Sequence, residues 1–292
     1  MTLGDLLDGA VRLFVVNWRA LLLTVAVVMV PLQLLLAWLQ RDLFETGVLE
    51  LFRNPAAFDA VAGEVAFSPF TGAEISGLLV TIAISALVLP VITGAVCKVA
   101  AGSYLGQPVA WSAALGAAGR LLPSLVGAVI LIRVAQFLAL LPGAFVGVAA
   151  AVTENLSLLL LVLLLLLVGF AGAYALGALY AATIPAIVVE DLGALPAMSR
   201  SWRLRSNRFW PTVGAVLVAG LLAAVVGWMI SGALSFGGAL VGGTFAWLPF
   251  AVAAILAQLV ELPFLATFST LLYFDGRIRR EGLDLRIMGA EL

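Results

Sequence analysis

Six stretches of the sequence, 20–39, 77–101, 121–152, 156–189, 211–236 and 247–274, are each long and apolar enough to cross a hydrocarbon core, which takes about 20 residues. This pattern excludes most folds at once. A backbone in lipid has no water to bond, so a continuous apolar span must satisfy its own polar groups as an α-helix. The expected fold is all-α, a polytopic membrane protein with six transmembrane helices in one domain covering 1–292. Composition agrees, with 64% hydrophobic and 11% charged residues against about 45–50% and 25% in soluble domains. The fourth stretch is too long for one straight helix at about 1.5 Å per residue. Pro185 is expected to kink it or end it near the surface.

Basic residues set the orientation. Of the 15 Lys and Arg, all but Arg41, Arg53 and Arg133 fall in the amino terminus, the second and fourth connections or the tail. With six spans these regions share one side, so the positive-inside rule places both termini in the cytoplasm, in the cytoplasmic membrane. The start is not expected to be a cleavable signal, because Asp5 and Asp8 replace a basic leader.

A comparable device precedes each odd-numbered span. Before the first, Leu3, Leu6, Leu7, Ala10, Val11, Phe14 and Trp18 recur at helical spacing, and Thr2 with Asp5 forms a capping box. Before the fifth, Leu195, Met198, Trp202 and Phe209 make an apolar stripe opposite Arg200, Arg203 and Asn207, with Pro196 suited to the first turn. The middle copy, 109–118, is fainter. Its flanking Gly106, Trp111, Arg120 and Pro123 fall in register with Gly193, Met198, Arg208 and Pro211. Arg19, Arg120 and Arg208 mark the mouths of the odd spans. The expectation is three parallel repeats of an interfacial amphipathic helix plus a transmembrane hairpin, at 1–101, 102–190 and 191–280.

The chain contains no histidine, which removes the commonest general base and metal ligand. No catalytic residue, metal ligand or cofactor is expected, and P-loop, dinucleotide and nucleophile-elbow signatures are absent from the sequence. Cys97 reads as a core filler. The net charge of −1 gives no nucleic-acid surface.

Charges inside spans are costly and mark sites. By helical rise Arg133 lies ~18 Å from the start of its span at Leu121, and Glu261 ~20 Å from the cytoplasmic end of its span at Phe274. Gln33 falls at the same depth, and Gln136 and Gln258 each sit three residues from their charged neighbour, on the same helix face. Arg133, Glu261, Gln33, Gln136 and Gln258 are therefore expected to form a mid-membrane polar cluster. It reads either as a structural ion pair that docks the repeats or as a polar chamber for a headgroup or solute. Small residues at Gly169, Ala173, Gly177 and Ala181, and at Ala215, Ala219, Ala223 and Gly227, are expected to let the fourth and fifth spans approach.

At the cytoplasmic surface Arg19, Arg120, Arg200, Arg203, Arg208, Arg277, Arg279 and Arg280 are expected to anchor on anionic lipid headgroups, with a protein docking site as the alternative. The segment 40–76, acidic and rich in phenylalanine, reads as an extracytoplasmic cap; 275–292 reads as a cytoplasmic tail.

Three stretches carry a family likeness. They are Leu3-Gly-Asp-Leu-Leu-Asp-Gly-Ala-Val-Arg-Leu-Phe, Arg200-Ser-Trp-Arg-Leu with Arg208-Phe-Trp, and Leu272-Tyr-Phe-Asp-Gly-Arg-Ile-Arg-Arg-Glu-Gly-Leu-Asp-Leu. The chain resembles bacterial membrane proteins, frequent in actinobacteria, named after the membrane domain of glycerophosphoryl diester phosphodiesterase, and the wider six-helix set that includes the YciC-like family. In that family the phosphodiesterase activity belongs to a separate soluble barrel that needs histidine, so the resemblance implies architecture and no enzyme. The expected function is a non-enzymatic membrane protein that organises or assists envelope or lipid-related machinery. The alternative is a transporter or lipid-translocating protein using the mid-membrane cluster.

Overall fold

The computed structural model describes residues 2–41, 72–153, 155, 158–241, 245 and 247–282. The expected cap and the end of the tail fall largely outside them. The described chain is helical: α1 (Leu3–Val16), α2 (Trp18–Leu39), α3 (Gly72–Tyr104), α4 (Trp111–Arg120), α5 (Leu122–Thr153), α6 (Leu158–Leu179), α7 (Thr183–Glu190), α8 (Ala194–Arg205), α9 (Phe209–Val241) and α10 (Trp247–Glu281). Among these residues six stretches, carried by α2, α3, α5, α6 with α7, α9 and α10, are long and apolar enough to cross a membrane.

Local chemistry explains the breaks. The Thr2 hydroxyl accepts from the Asp5 amide at 3.2 Å while Asp5 accepts from the Thr2 amide at 2.6 Å, closing the capping box that starts α1. Asn17 turns the corner into α2 by donating its side-chain amide to the Leu13 carbonyl at 2.9 Å and to Ser103 Oγ at 2.7 Å. The fourth span divides earlier than Pro185 itself. α6 stops at Leu179, a turn follows, and Pro185 occupies the first turn of α7, where its missing N–H leaves no bond unmade. Asp191, at φ 54°, ends α7 in the left-handed region, which short polar side chains tolerate. Pro31, Pro90, Pro142 and Pro263 lie inside their helices without ending them.

Each span packs against its neighbours in sequence, and α10 returns to α2, so the spans close a ring, with α3 and α10 also touching across it. The main core joins Leu21, Val25 and Met29 of α2 to Ile92, Val96 and Cys97 of α3, Leu125 of α5, Ile187 of α7 and Phe274 of α10. Cys97 is fully buried, its thiol 3.6 Å from the Ala266 carbonyl. The outward faces of α5, α6 and α9 carry exposed Phe137, Leu160, Leu167, Phe170 and Trp228, the surface a hydrocarbon solvent requires.

The short helices gather at one end of the ring, which holds most of the arginines. α1 packs chiefly on α10, α4 on α3, and α8 on α7 and α5. In α1, Leu6 and Ala10 join Ala215, Ala219, Phe268, Leu271 and Leu272 in a second core. For α8 the docking face differs from the aromatic stripe that the sequence displays. Ala197, Ser201, Leu204 and Arg205 are buried, while Leu195 and Trp202 are exposed. Ala197 and Ser201 let α8 lie close to its neighbours, with Leu204 and Arg205 buried at its end.

Of the small-residue ladders, Ala181 packs with the core that holds Ala215 and Ala219, while the glycines make their closest approaches elsewhere. A Cβ on Gly169 would stand 2.7 Å from the Ala139 carbonyl oxygen and one on Gly177 2.8 Å from Gln136 Nε2, so these glycines of α6 serve α5. A Cβ on Gly227 would stand 1.5 Å from Glu261 Oε1, so this glycine of α9 serves α10. The closest approaches at these glycines are made inside each hairpin, where short connections hold the partners together.

Candidate functional site

The polar residues of the arginine-rich end are assembled by the two sequence motifs at Arg200–Leu204 and Leu272–Glu281. On α8, Arg200 directs Nε at both carboxylate oxygens of Glu190, 3.0 and 3.1 Å away, and Nη2 at Oε1, 2.9 Å away. The same guanidinium donates to both oxygens of Glu281 on α10, from Nη2 at 2.9 Å and from Nη1. Arg277 lies one turn before Glu281 and donates to it at 3.2 Å, while standing 3.7 Å from Glu190. The Tyr273 hydroxyl donates to Glu190 and accepts from Arg277 at 3.3 Å. Two arginines and two glutamates thus alternate, each charge facing its opposite, with side chains about a fifth exposed. Charge-assisted, bidentate bonds of this kind are the strong ones in proteins. Here they clasp α7, α8 and α10 together.

Backbone contacts tighten the clasp. The Ser201 hydroxyl donates to the Leu179 carbonyl at 2.7 Å, satisfying an acceptor at the end of α6. Lys98 Nζ donates to the Val188 carbonyl at 3.2 Å, doing the same for α7. Gly276 marks where α8 crosses α10: a Cβ there would stand 3.3 Å from both the Leu204 Cβ and Arg205 Nη2. Beside it Arg205, 3% exposed, has Nη1 3.9 Å from Asp275, which also accepts from Arg279 at 2.9 Å.

The eight arginines expected at the surface fall into two groups. Arg200 and Arg277 are committed to carboxylates on neighbouring elements and Arg279 to Asp275 on its own helix, because each carboxylate lies within one side chain's reach. Arg19, over the Trp18 ring at 5.3 Å, and Arg120, Arg203, Arg208 and Arg280 are exposed. Glu190, Arg205, Tyr273, Asp275 and Glu281 were not singled out from sequence as site residues. Their spacing carried a signal: Tyr273, Arg277 and Glu281 repeat every fourth residue, as do Asp275 and Arg279, which places each set on one helix face.

Within the mid-membrane set one pair is hydrogen-bonded. Arg133 Nη1 donates to Gln136 Oε1 at 3.1 Å, and Gln136 Nε2 donates to the Ala173 carbonyl of α6 at 2.9 Å. This pair borders an open cavity of about 360 Å³ with Tyr174, Gly177 and Val216, between α5, α6 and α9. Glu261 instead packs its carboxylate on Gly227. Among the described residues no hydrogen bond or ion pair joins Arg133 to Glu261, and Gln33 makes none with the other four. Gln258 Oε1 is buried without a hydrogen-bond partner. Equal depth proved compatible with different azimuths: Arg133 is on an exposed face of α5 and Glu261 on the face of α10 toward α9. Among the described residues no group of three or more Asp, Glu or Cys is gathered for a metal.

Neither a family model, nor a curated protein, nor a solved structure matches this chain.

Proposed function

We propose that the chain is a non-enzymatic multi-pass protein of the bacterial cytoplasmic membrane that organises or assists envelope or lipid-related machinery. The observation that carries this reading is the fate of its most polar motifs: Arg200, Glu190, Arg277 and Glu281 are spent on each other, holding α8 as a rigid ledge. A ledge with exposed Trp202 and Arg203 on its outer side is suited to docking rather than to chemistry. The likeness to the membrane-domain family belongs to the same proposal, supported by its two arginine motifs meeting in space.

The finer architecture is part of this reading. Three parallel repeats at 1–101, 102–190 and 191–280 are supported by how the short helices dock. Each rests on the span before it, α4 on α3 and α8 on α7, and α1 closes the series on α10. Both termini are placed in the cytoplasm, with anionic headgroups meeting Arg19, Arg120, Arg203, Arg208 and Arg280. Photo-crosslinking in intact cells from position 203, compared with lipid-facing position 170, tests the docking role. A defined protein adduct from 203 that is lost in Arg200→Ala is expected; identical patterns from both positions would reject the ledge.

A second reading, lipid translocation, is favoured by the open cavity beside Arg133 and Gln136. Glu261 is not among the residues lining that cavity. Flux of a headgroup-labelled lipid in liposomes tests it, and equal flux with wild type, Arg133→Ala and empty vesicles would remove it.

A further inference from the structure

A second cavity, of about 400 Å³, lies at the arginine-rich end between the start of α1, the start of α9 and the end of α10. Its wall is divided by chemistry. Arg205, Arg208, Asp275 and Thr212 supply the polar part; Leu3, Leu6 and Val218 supply apolar surface leading along α9.

The polar part is out of balance. Arg205 is 3% exposed, and its Nε and Nη2 are buried with no hydrogen-bond partner. A guanidinium stripped of water needs its donors met and its charge countered. Asp275 is 3.9 Å from Arg205 Nη1, longer than a hydrogen bond, and is shared with Arg279 at 2.9 Å. Arg208, also on the wall, makes no ion pair with any described residue and adds another positive charge. Among the described residues, the cavity wall thus carries Arg205 and Arg208 with one carboxylate, which Arg279 already engages. Arginine matches phosphate through its planar fork of donors.

We propose that this cavity binds the phosphate of a glycerophospholipid headgroup, with Arg208 facing the phosphate, Arg205 adding its charge from the wall behind, and an acyl chain lying along Leu3, Leu6 and Val218. The apolar wall selects a lipid over a free phosphate ester, because a soluble ester would leave that surface uncovered. Asp275, 3.9 Å from Arg205 Nη1, offsets part of the positive charge at the wall. The site adjoins the ledge, since Arg205 ends α8, but its failure would leave the docking role standing, since that role is read from protein crosslinks and this one from lipid retention.

The test uses the full chain, delipidated in mild detergent, with bound lipid counted by native mass spectrometry. The probes are phosphatidylglycerol, diacylglycerol of the same acyl chains, and glycerol 3-phosphate. One phosphatidylglycerol should be retained and diacylglycerol should not. Arg208→Gln removes an exposed, unpaired side chain and should weaken retention about tenfold or more, as loss of one charge-assisted contact implies. Val218→Trp fills the apolar wall without touching a charge and should reduce retention similarly. Equal retention of diacylglycerol, full displacement of the lipid by glycerol 3-phosphate, or unchanged retention in both variants would each overturn the assignment.

Discussion

Arg200 and Glu190 meet as fork and carboxylate, with three nitrogen–oxygen distances between 2.9 and 3.1 Å. Because the same guanidinium also holds Glu281, one side chain ties α7 and α10 across α8. Arg200→Ala should destabilise the protein by about 1–2 kcal/mol, less than a fully buried pair because the side chains are partly exposed. Arg200→Lys keeps the charge but loses the fork, and should recover less than half of the loss. Thermal unfolding in detergent measures both, and an unchanged midpoint for Arg200→Ala would show that the clasp contributes nothing.

Gly276 gives a second, independent probe of the same crossing. An added methyl would stand 3.3 Å from the Leu204 Cβ, so the two helices must separate slightly. Gly276→Ala is expected to cost about 1–3 kcal/mol, the range for overpacking. Faster hydrogen exchange should then be confined to α8 and the end of α10. Exchange that quickens uniformly along the chain would contradict a local crossing.

Arg133 and Glu261 should behave as strangers. With no bond between them, the effects of Arg133→Ala and Glu261→Ala on stability should add to within about 0.5 kcal/mol. Arg133 and Gln136, 3.1 Å apart, should couple. A larger coupling in the first cycle than in the second would mean the pairing has been misread.

Glu261 and Gly227 form the next pair to test. The carboxylate occupies the space a side chain at 227 would need. Gly227→Ala should therefore lower stability in the wild-type background, by about 1 kcal/mol or more. In a Glu261→Ala background the same change should be nearly silent. Equal penalties in both backgrounds would refute the contact.

The capping box makes α1 sensitive to acid. The Thr2 backbone and hydroxyl hold the Asp5 carboxyl below the ordinary carboxylate range. A group with a depressed folded pKa stabilises the fold above the ordinary value, about 3.9. That contribution disappears as the pH falls through its own lower value. Amide exchange in the first turn of α1 should rise on acidification below about pH 4, and Asp5→Asn should flatten the response. A profile identical in wild type and Asp5→Asn would exclude the box as its source.

The spans were legible because lipid imposes one rule on every spanning segment, and apolar length alone satisfies it. Local chemistry was equally open: Thr2 and Asp5 stand at capping-box spacing, and Cys97 sits in an apolar run. What sequence could not supply was the rotation of each helix about its axis. Depth placed Arg133, Glu261 and Gln33 at one level, yet which side each faces depends on neighbours that no local pattern names. Arg205 was hidden for a related reason. It was read as one more basic residue beside Arg203 and Arg208. The series Ala197, Ser201, Arg205, one small or buried position per turn, was the better guide to the docking face.

The seating of α1 on α10 has a consequence for how the molecule is made. The surface that covers Leu6 and Ala10 includes Phe268, Leu271 and Leu272, among the last residues of the described chain to leave the ribosome. Made about 250 residues earlier in the chain, α1 must wait, partly uncovered, until α10 has entered the bilayer. Ring closure is therefore a late event in biogenesis. A nascent chain halted before its sixth span would present an unsatisfied helix to the quality-control proteases of the membrane.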